Sequence, residues 1–284
     1  MRFWLFLAVA LPLFGCDTDP VIDPVEVSYD PPGVHLVMGN PSNAVSDAGT
    51  PDNFLIQKNE FALGYNNSLG AAMWVSWHLS PQWRGGAERQ DDFRPDPDLP
   101  TGFFKANSSS YTGTGFDRGH QCPSEDRDGS ISMNSATFVM TNMLPQAPNV
   151  NQDCWVKMEN YLRSLVNGGD EIYIISGGYG VGGSGNNGGT TNHIANGSIT
   201  VPKRLWKIAV VVSLGADDLD RVTTDTRVIA IDVANMQSAG AASWGTRRVS
   251  VRSIETATGF NFLSNLPTAI QDVIENKVDD GPIN

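Results

Sequence analysis

The sequence is short of basic residues, of cysteine and of histidine, and each shortage limits what the protein can be. Nineteen Lys and Arg side chains stand against 31 Asp and Glu, which gives a formal net charge of −12. No overall positive field can attract a polyanion, so any binding of nucleic acid must rest on local cations or on a metal ion. The 284 residues and the 40% apolar content suffice for one large globular domain or two small ones.

A long apolar run is also missing, apart from a short one at the N-terminus. Arg2 precedes the apolar residues 3–14 (FWLFLAVALPLF), which are too few to span a bilayer but are typical of an export signal. Residues 13–16 (LFGC) resemble the lipobox of bacterial lipoproteins, although the bulky Phe14 departs from it. We therefore expect an exported protein. It is either a lipoprotein anchored through Cys16 and facing the periplasm or the cell exterior, or a secreted protein.

Three cysteines leave one unpaired in an oxidising compartment, and lipidation of Cys16 would use that one. Cys122 and Cys154 could then form a disulfide, and two separate free thiols are the alternative. The stretch from Asp17 to Asp52 contains six prolines, seven acids and no Lys or Arg, as an extended tether would. We assign residues 1–15 to a signal peptide, 16–32 to an acidic, proline-rich tether and 33–284 to a single domain.

Beyond the tether, short apolar runs between glycine and proline clusters predict strands at 72–79, 137–144, 171–177, 206–214 and 227–234. Apolar residues recur at helical spacing over 152–166, and a second helix is expected near 251–259. Strands with few helices between them favour an α+β fold with a mixed, largely antiparallel sheet flanked by helices.

The glycine-rich stretch 177–189 contains the spacing Gly178-x-Gly180-x-x-Gly183, which also occurs in dinucleotide-binding proteins. No apolar helix follows it and no acidic residue lies at the expected distance, so we predict a surface loop. A phosphate-binding P-loop is excluded because the sequence lacks its Gly-Lys-Ser/Thr.

Residues 115–127 (GFDRGHQCPSEDR) carry a different signal. Hydrolysis of a phosphodiester needs a base, a cation on the phosphate and a group that neutralises the leaving oxygen. His120 is the candidate base, whereas the other histidines lie in less polar or looser contexts and are expected to be structural: His35, His78 and His193. Taken alone, Asp117 and Arg118 could equally form an ion-paired turn.

A second polar group follows within an apolar segment and comprises Asn142, Asn151, Glu159 and Arg163. Asn151 could simply cap a helix, and Glu159 with Arg163, one turn apart, could be a solvated ion pair. Residues 151 and 159 are separated by roughly 12 Å of helical rise, too far for both to ligate one ion directly. Asn151 could bind a metal ion while Glu159 binds the metal's water molecules.

Together the two motifs resemble the DNA/RNA non-specific endonuclease family of ββα-metal nucleases. The first is Asp117-Arg118-Gly119-His120 with Pro123, and the second runs from Asn142 to Arg163. The similarity is greatest to secreted cyanobacterial-type members and is more distant to mitochondrial endonuclease G. It extends from about residue 34 to the segment 253–267, in the family's order.

The resemblance implies specific roles for the residues of the second motif and for His120. His120 would be the general base, Asn151 the sole direct protein ligand of a Mg²⁺ or Mn²⁺ ion, and Glu159 a ligand of that ion through water. Such an ion prefers oxygen ligands and keeps most of its water, so a single amide leaves its charge available to the phosphate.

The resemblance also implies that Arg89 and Arg163 contact the phosphate and that Asp117 and Arg118 support the catalytic turn. Asn142 is similar to a family asparagine near the site. The expected activity is metal-dependent hydrolysis of single- and double-stranded DNA and RNA to 5′-phosphorylated oligonucleotides. An inactive nucleic-acid-binding module of the same fold is the main alternative, and a phosphodiesterase for small substrates is another. We expect membrane contact only through the lipid anchor, and the oligomeric state stays open.

Overall fold

The computed structural model describes residues 33–283. The expected signal peptide, the lipid attachment site Cys16 and the tether 16–32 lie outside the described residues. Within 33–283, no helix is both long enough and apolar enough to cross a membrane. The segment just after the tether contributes Val34 and Met38 to the core.

The strands in chain order are β1 (Phe54–Gln57), β2 (Ala62–Asn66), β3 (Ala71–Leu79), β4 (Asp117–His120), β5 (Met143–Gln146), β6 (Asp170–Tyr179), β7 (His193–Ile194), β8 (Ile199–Thr200), β9 (Arg204–Ser213), β10 (Arg227–Ala234) and β11 (Arg248–Val249). Seven of them form one antiparallel sheet in the order β1-β2-β3-β6-β9-β10-β11. The pairs β4-β5 and β7-β8 are separate two-stranded ribbons. The α+β class with a largely antiparallel sheet is confirmed.

The α-helices are α1 (Ile131–Ala136), α2 (Val156–Asn167), α3 (Asp218–Arg221), α4 (Val251–Thr258) and α5 (Thr268–Ile274). Helix α4 confirms the expected second helix: the Ser250 hydroxyl caps its start, and Gly259 ends it at a φ of 78°. The first expected helix is also present, but its opening turns, Val150–Trp155, are π-helical.

One strand prediction was wrong. Residues 137–144 are not a single strand, because Met140–Asn142 form a 3-10 turn and β5 begins only at Met143. The buried Asn142 side chain donates to the carbonyls of Cys122 and Thr137, so it bonds to other segments at the point where a ladder was expected. The glycine-rich stretch continues β6 as far as Tyr179 and then forms a loop.

Side chains of the large sheet alternate between two apolar layers, as the pleat requires. We call the side that packs against α2 the front face, where Trp77, Ile174 and Ala209 meet Trp155 and Met158. The rear face packs against α4 and the segment 260–266, which is buried at Phe262 and Leu263. Strand β4, ribbon partner β5 and helix α2 therefore all belong to the front of the molecule.

Candidate active site

Strand β4 consists of the Asp-Arg-Gly-His motif and pairs with β5 in a fixed register, Asp117 opposite Gln146 and His120 opposite Met143. Only glycine fits at position 119, because a Cβ there would lie 2.1 Å from Cδ of Gln146. Close pairing of the two strands thus sets the direction of the neighbouring Arg118 and His120.

The His120 ring packs edge-on against two aromatic rings, with centroid distances of 5.7 Å to Phe93 and 4.9 Å to Phe138. Burial, reinforced by the positive charges of Arg89 and Arg118, lowers the pKa of His120 to about 3. Its Nε2 atom is buried and has no hydrogen-bond partner among residues 33–283. The imidazole is therefore uncharged and has a ring nitrogen to spare.

Asn151 lies in the π-helical turn, the kind of irregularity that often occurs at functional sites. Its Nδ2 donates to Oδ2 of Asp117 at 2.8 Å, and Nε2 of Gln152 donates to the same oxygen at 2.8 Å. This assignment of the amide leaves Oδ1 of Asn151 as the atom that can bind a cation. Asp117 thus orients the Asn151 amide, a role that the motif spacing alone did not suggest.

The sequence motifs also missed Asn235, which supports the start of the π-helix. Its Oδ1 accepts from the Ala147 amide at 2.8 Å, and its Nδ2 donates to the carbonyls of Pro145 and Pro202, each at 2.9 Å. Nearby, a Cβ on Gly240 would lie 2.1 Å from the Asn149 carbonyl oxygen, so glycine is required there. A lone asparagine after a strand carried no sequence signal for this role.

Glu159 lies on α2, and its side chain is 12% exposed. Its Oε1 accepts from the ammonium group of Lys207 at 2.6 Å. Burial raises the pKa of Glu159 above its ordinary value, and the charge of Lys207 opposes that rise. Lys207 lies within the apolar run 206–214, and nothing in that run indicated a contact with Glu159.

The three candidate arginines differ in how they are held. Arg118 stacks over the Phe93 ring at 3.9 Å and makes no ion pair within the described range. Arg89 is half exposed, stacks over Phe138 at 4.8 Å and bonds to the exposed Asp91 at 2.7 Å. These two guanidinium groups are accessible to an anion.

Arg163 is held much more tightly. Its Nη1 donates to the buried Asp126 at 2.8 Å, and its Nη2 contacts Glu125 at 2.7 Å and Asn160 at 2.7 Å. Only 7% of the Arg163 side chain is exposed. Helix α2 is thereby tied to the segment that follows β4.

A single cleft of about 270 Å³ brings most of the expected residues together. It is lined by the candidate base, the candidate metal ligands and the three arginines: His120, Asn151, Glu159, Arg89, Arg118 and Arg163. A neighbouring cleft of about 360 Å³ shares Arg89, Arg118 and Asn151 with it and is also lined by Asp117. The two clefts therefore adjoin across these shared side chains.

Other candidates lie behind the cleft. Asn142 is fully buried, and its Oδ1 also accepts from the Cys122 amide at 3.0 Å, so it braces the chain after β4. Cys122 and Cys154 are both buried free thiols, and the structure contains no disulfide between them. Burial raises the pKa of Cys122 to about 12 and that of Cys154 to about 11.

The remaining histidines lie elsewhere in the fold. His35 and His78 are buried. His35 bonds to the carbonyl of Asn59, and His78 bonds to the carboxylate of Glu171. His193 is exposed and contacts Thr200. Of the four histidines, only His120 lines the candidate active site.

The donor atoms fit a hard divalent cation that keeps most of its water. Among residues 33–283, no group of three or more His, Cys, Asp or Glu side chains could hold a metal ion. Asn151, with its oriented Oδ1, and the Glu159 carboxylate are oxygen donors that line one cleft, and oxygen donors suit a hard divalent cation.

Comparison with known sequences identifies the family of the chain. A sequence model of the family described as DNA/RNA non-specific endonuclease matches residues 38–269. The chain belongs to this family. The protein is accordingly a nuclease, and the family depends in general on a divalent metal.

Individual relatives cover different shares of the endonuclease chain. A nuclease of Nostoc sp. is 46% identical over 246 residues, covering 87% of this chain and 86% of its own. Nuclease C1 of Cunninghamella echinulata is 28% identical and covers 78% of this chain and 86% of its own. Human mitochondrial endonuclease G is 34% identical over 125 residues, which is 43% of this chain and 42% of its own.

A solved structure of an EndoG/EndoGI complex superposes with a TM-score of 0.68, covering 83% of this chain and 92% of the other. The sequence identity is 20%, so this likeness shows the fold alone. The fold of the endonuclease is thus shared with EndoG, while the assignment of roles rests on the geometry of the cleft.

Proposed function

We propose that this endonuclease hydrolyses single- and double-stranded DNA and RNA to 5′-phosphorylated oligonucleotides, with His120 as the general base. One observation carries the proposal: an uncharged imidazole with a free ring nitrogen shares a cleft with an oriented amide oxygen and two accessible arginines. This combination supplies a base, a cation site and phosphate contacts within one small volume.

His120 accepts the proton of the attacking water in this scheme. A base must be unprotonated to work, and the lowered pKa of His120 keeps it neutral at ordinary pH. The aromatic rings of Phe93 and Phe138 restrict the tilt of the imidazole, so its lone pair has a defined direction.

Asn151 would hold the metal ion directly through Oδ1, and Glu159 would hold it through water. When bound, magnesium or manganese supplies charge to the phosphate and to the leaving oxygen. Asp117 keeps the Asn151 amide from rotating, since both Asn151 and Gln152 donate to its carboxylate. Arg118 and Arg89 would bind phosphate oxygens, and Arg163 would brace the cleft wall while its guanidinium borders the same space.

This arrangement also accounts for action on both nucleic acids. Contacts through a metal ion and arginines reach the phosphate, so they neither read a base edge nor require a 2′-hydroxyl. The overall charge of −12 does not prevent binding, because the attraction is local. We expect affinity to fall as salt rises.

A cleavage assay tests the proposal. Supercoiled plasmid and a single-stranded RNA are incubated with the purified protein and Mg²⁺ or Mn²⁺, with and without EDTA, and beside the Asn151→Ala variant. We expect metal-dependent fragmentation of both substrates by the wild type and none by Asn151→Ala. Equal cleavage after complete chelation would refute the metal mechanism.

The same assay separates the alternatives. Binding of plasmid without any cleavage would favour an inactive binding module, and hydrolysis of small diesters alone would favour a small-substrate phosphodiesterase. The full set of His120, Asn151 and Glu159 in one cleft argues against an inactive binding module.

We also propose that residues 33–284 form one exported nuclease domain, attached through Cys16 or released. The support is the apolar run 3–14 with its following LFGC. Labelling of the wild type with radioactive palmitate, but not of Cys16→Ser, would establish the anchor. Absence of label in the wild type would leave plain secretion.

A further inference from the structure

Lys207 is a charged residue in the middle of the apolar central sheet. It lies on β9 between Leu205 and Ala209, whose side chains belong to the front layer. Because strand residues alternate, the Lys207 side chain points to that same face. Its side chain is 0% exposed, which is rare for lysine and requires a strong partner.

Two indole rings and one carboxylate lie close to the ammonium group. Its nitrogen lies 5.4 Å from the ring centroid of Trp77 and 5.1 Å from that of Trp155. Within the described chain, its one ion-pair partner is Glu159, at 2.6 Å from Oε1. The two indoles stabilise a cation and exclude water, so they direct the ammonium group to that single carboxylate.

Glu159 in turn has one oxygen, Oε1, bound by Lys207, and the residue also lines the cleft that contains Asn151 and His120. Oε2 makes no hydrogen bond within residues 33–283. The carboxylate therefore bridges a fully buried cation and the place where a metal's water molecules would lie.

We propose that Lys207 is a positioning residue for the metal site: it clamps one oxygen of Glu159 so that the other faces the metal's water shell. This inference rests on the proposed function. The ion pair with the buried ammonium group holds the Glu159 carboxylate in one rotamer. The contact joins the central sheet to α2 at the level of the active site.

A merely structural lysine would contribute to stability and leave metal affinity unchanged, so metal affinity is the deciding measurement. The direct probe is binding of Mn²⁺ to the purified protein without substrate. Binding is measured by titration calorimetry and by the loss of the electron paramagnetic resonance signal of free Mn²⁺. The variants are Lys207→Met, Glu159→Gln and the double variant. Lys157→Met is the matched control, because Lys157 is an exposed lysine on α2 that pairs with Asp153.

We expect Lys207→Met to weaken Mn²⁺ binding about 10- to 100-fold, as loss of an outer-shell partner does, and to raise the Mg²⁺ concentration for half-maximal activity in parallel. The double variant should bind Mn²⁺ no more weakly than Glu159→Gln, since both changes remove the same interaction. Lys207→Arg, which keeps the charge, should recover part of the loss. Lys157→Met should match the wild type.

Wild-type Mn²⁺ affinity in Lys207→Met would overturn the inference. It would also be overturned if the fold-loss of Mn²⁺ affinity in the double variant equalled the product of the losses in the two single variants. If Lys207→Met does not fold, Lys207→Gln carries the same test, with an expected loss of about tenfold. A wild-type protein that binds Mn²⁺ but fails to cleave DNA would contradict the proposed function instead, and the two failures are therefore distinguishable.

Discussion

The front and rear faces of the central sheet both bury charged side chains, but their ion pairs end differently. On the rear face, Nε2 of His78 lies 2.9 Å from Glu171, and Glu171 also contacts Arg221. Trp83 completes this network by donating to Nδ1 of His78. On the front face, Glu159 accepts from Lys207 and Asn151 donates to Asp117, and both Glu159 and Asn151 line the cleft.

The difference shows that burial and charge alone do not identify an active site. Burial and the nearby Glu255 raise the pKa of Glu275 to about 7. Glu275 nevertheless lies away from the cleft, fully buried, and pairs with Arg252 of α4. A shifted pKa of this kind accompanies structural networks as well. The front face is distinguished because its networks are incomplete and open onto a shared cleft.

After the complete loss expected for Asn151→Ala, the largest effect on turnover is expected from His120→Ala, which removes the group that gives the front face its chemistry. The rate should fall roughly 100- to 10,000-fold with the melting temperature nearly unchanged. Steady-state cleavage of a fluorescent oligonucleotide and thermal denaturation measure the two quantities. His193→Ala, which alters an exposed histidine, should match the wild type; a wild-type rate in His120→Ala would remove His120 from its role.

Asp117→Ala should have the next largest effect, because it frees the Asn151 amide to rotate. We expect the Mg²⁺ concentration for half-maximal activity to rise about 10- to 100-fold, with activity partly restored at high Mg²⁺. Asp153→Ala is the control, since it removes an exposed acid from the same π-helix. An unchanged Mg²⁺ dependence would mean that Asn151 does not need its hydrogen bond to Asp117.

A smaller effect concerns pH. Because the pKa of His120 is depressed, the neutral base persists as pH falls, and the acid limb of kcat/KM should lie below the ordinary histidine pKa of about 6.5. Arg118→Gln removes a positive neighbour that opposes protonation, so this limb should move to higher pH. Burial is the larger cause, so we expect a shift of less than one pH unit.

The pH profile is measured at saturating Mg²⁺, with Lys157→Gln as the control that leaves the cleft charge intact. A wild-type limb at or above pH 6.5, or a downward move in Arg118→Gln, would contradict the assigned environment of His120.

The rear face should show no effect on turnover at all. Glu171→Gln breaks a buried ion pair and should lower the free energy of unfolding by about 3–5 kcal/mol, while kcat per folded molecule stays at the wild-type value. Urea denaturation and activity at low temperature separate these quantities. A loss of kcat without a loss of stability would end the distinction between the two faces.

We also expect Glu171 to affect how the free energy of unfolding depends on pH in acid. Hydrogen bonds from His78 and Arg221 outweigh burial and lower the pKa of its carboxyl. The stabilisation is therefore present above the ordinary pKa of glutamic acid and is lost as pH falls through the lowered value. In Glu171→Gln, that part of the acid-induced loss of stability should disappear.

Local patterns in the sequence were sufficient for the four longest strands and for helices α2 and α4. The apolar run 227–234 coincides with β10, and the expected helix at 251–259 is α4 with its cap. The run 137–144 failed because Asn142, though amid apolar residues, bonds to distant backbone groups. The hydrogen bonds of a buried amide depend on tertiary neighbours, which a window of sequence does not contain.

The candidate site shows the same limit. The sequence singled out His120, Asn151, Glu159 and Arg89, and all four line one cleft. It did not indicate the partners that orient them, because those partners are remote: Asp117 is 34 residues from Asn151 and Lys207 is 48 residues from Glu159. The suggested pairing of Cys122 with Cys154 likewise depended on spatial distance, and both are free thiols.

By itself, then, the sequence determined the four longest strands, two helices, the family resemblance and the reactive side chains, since these depend on local periodicity and on residue type. The tertiary structure alone decided which charge meets which partner, which histidine is held uncharged beside a cleft and which face of the sheet is open. Long-range packing makes those choices, because desolvation and hydrogen bonding depend on whatever surrounds a group in space.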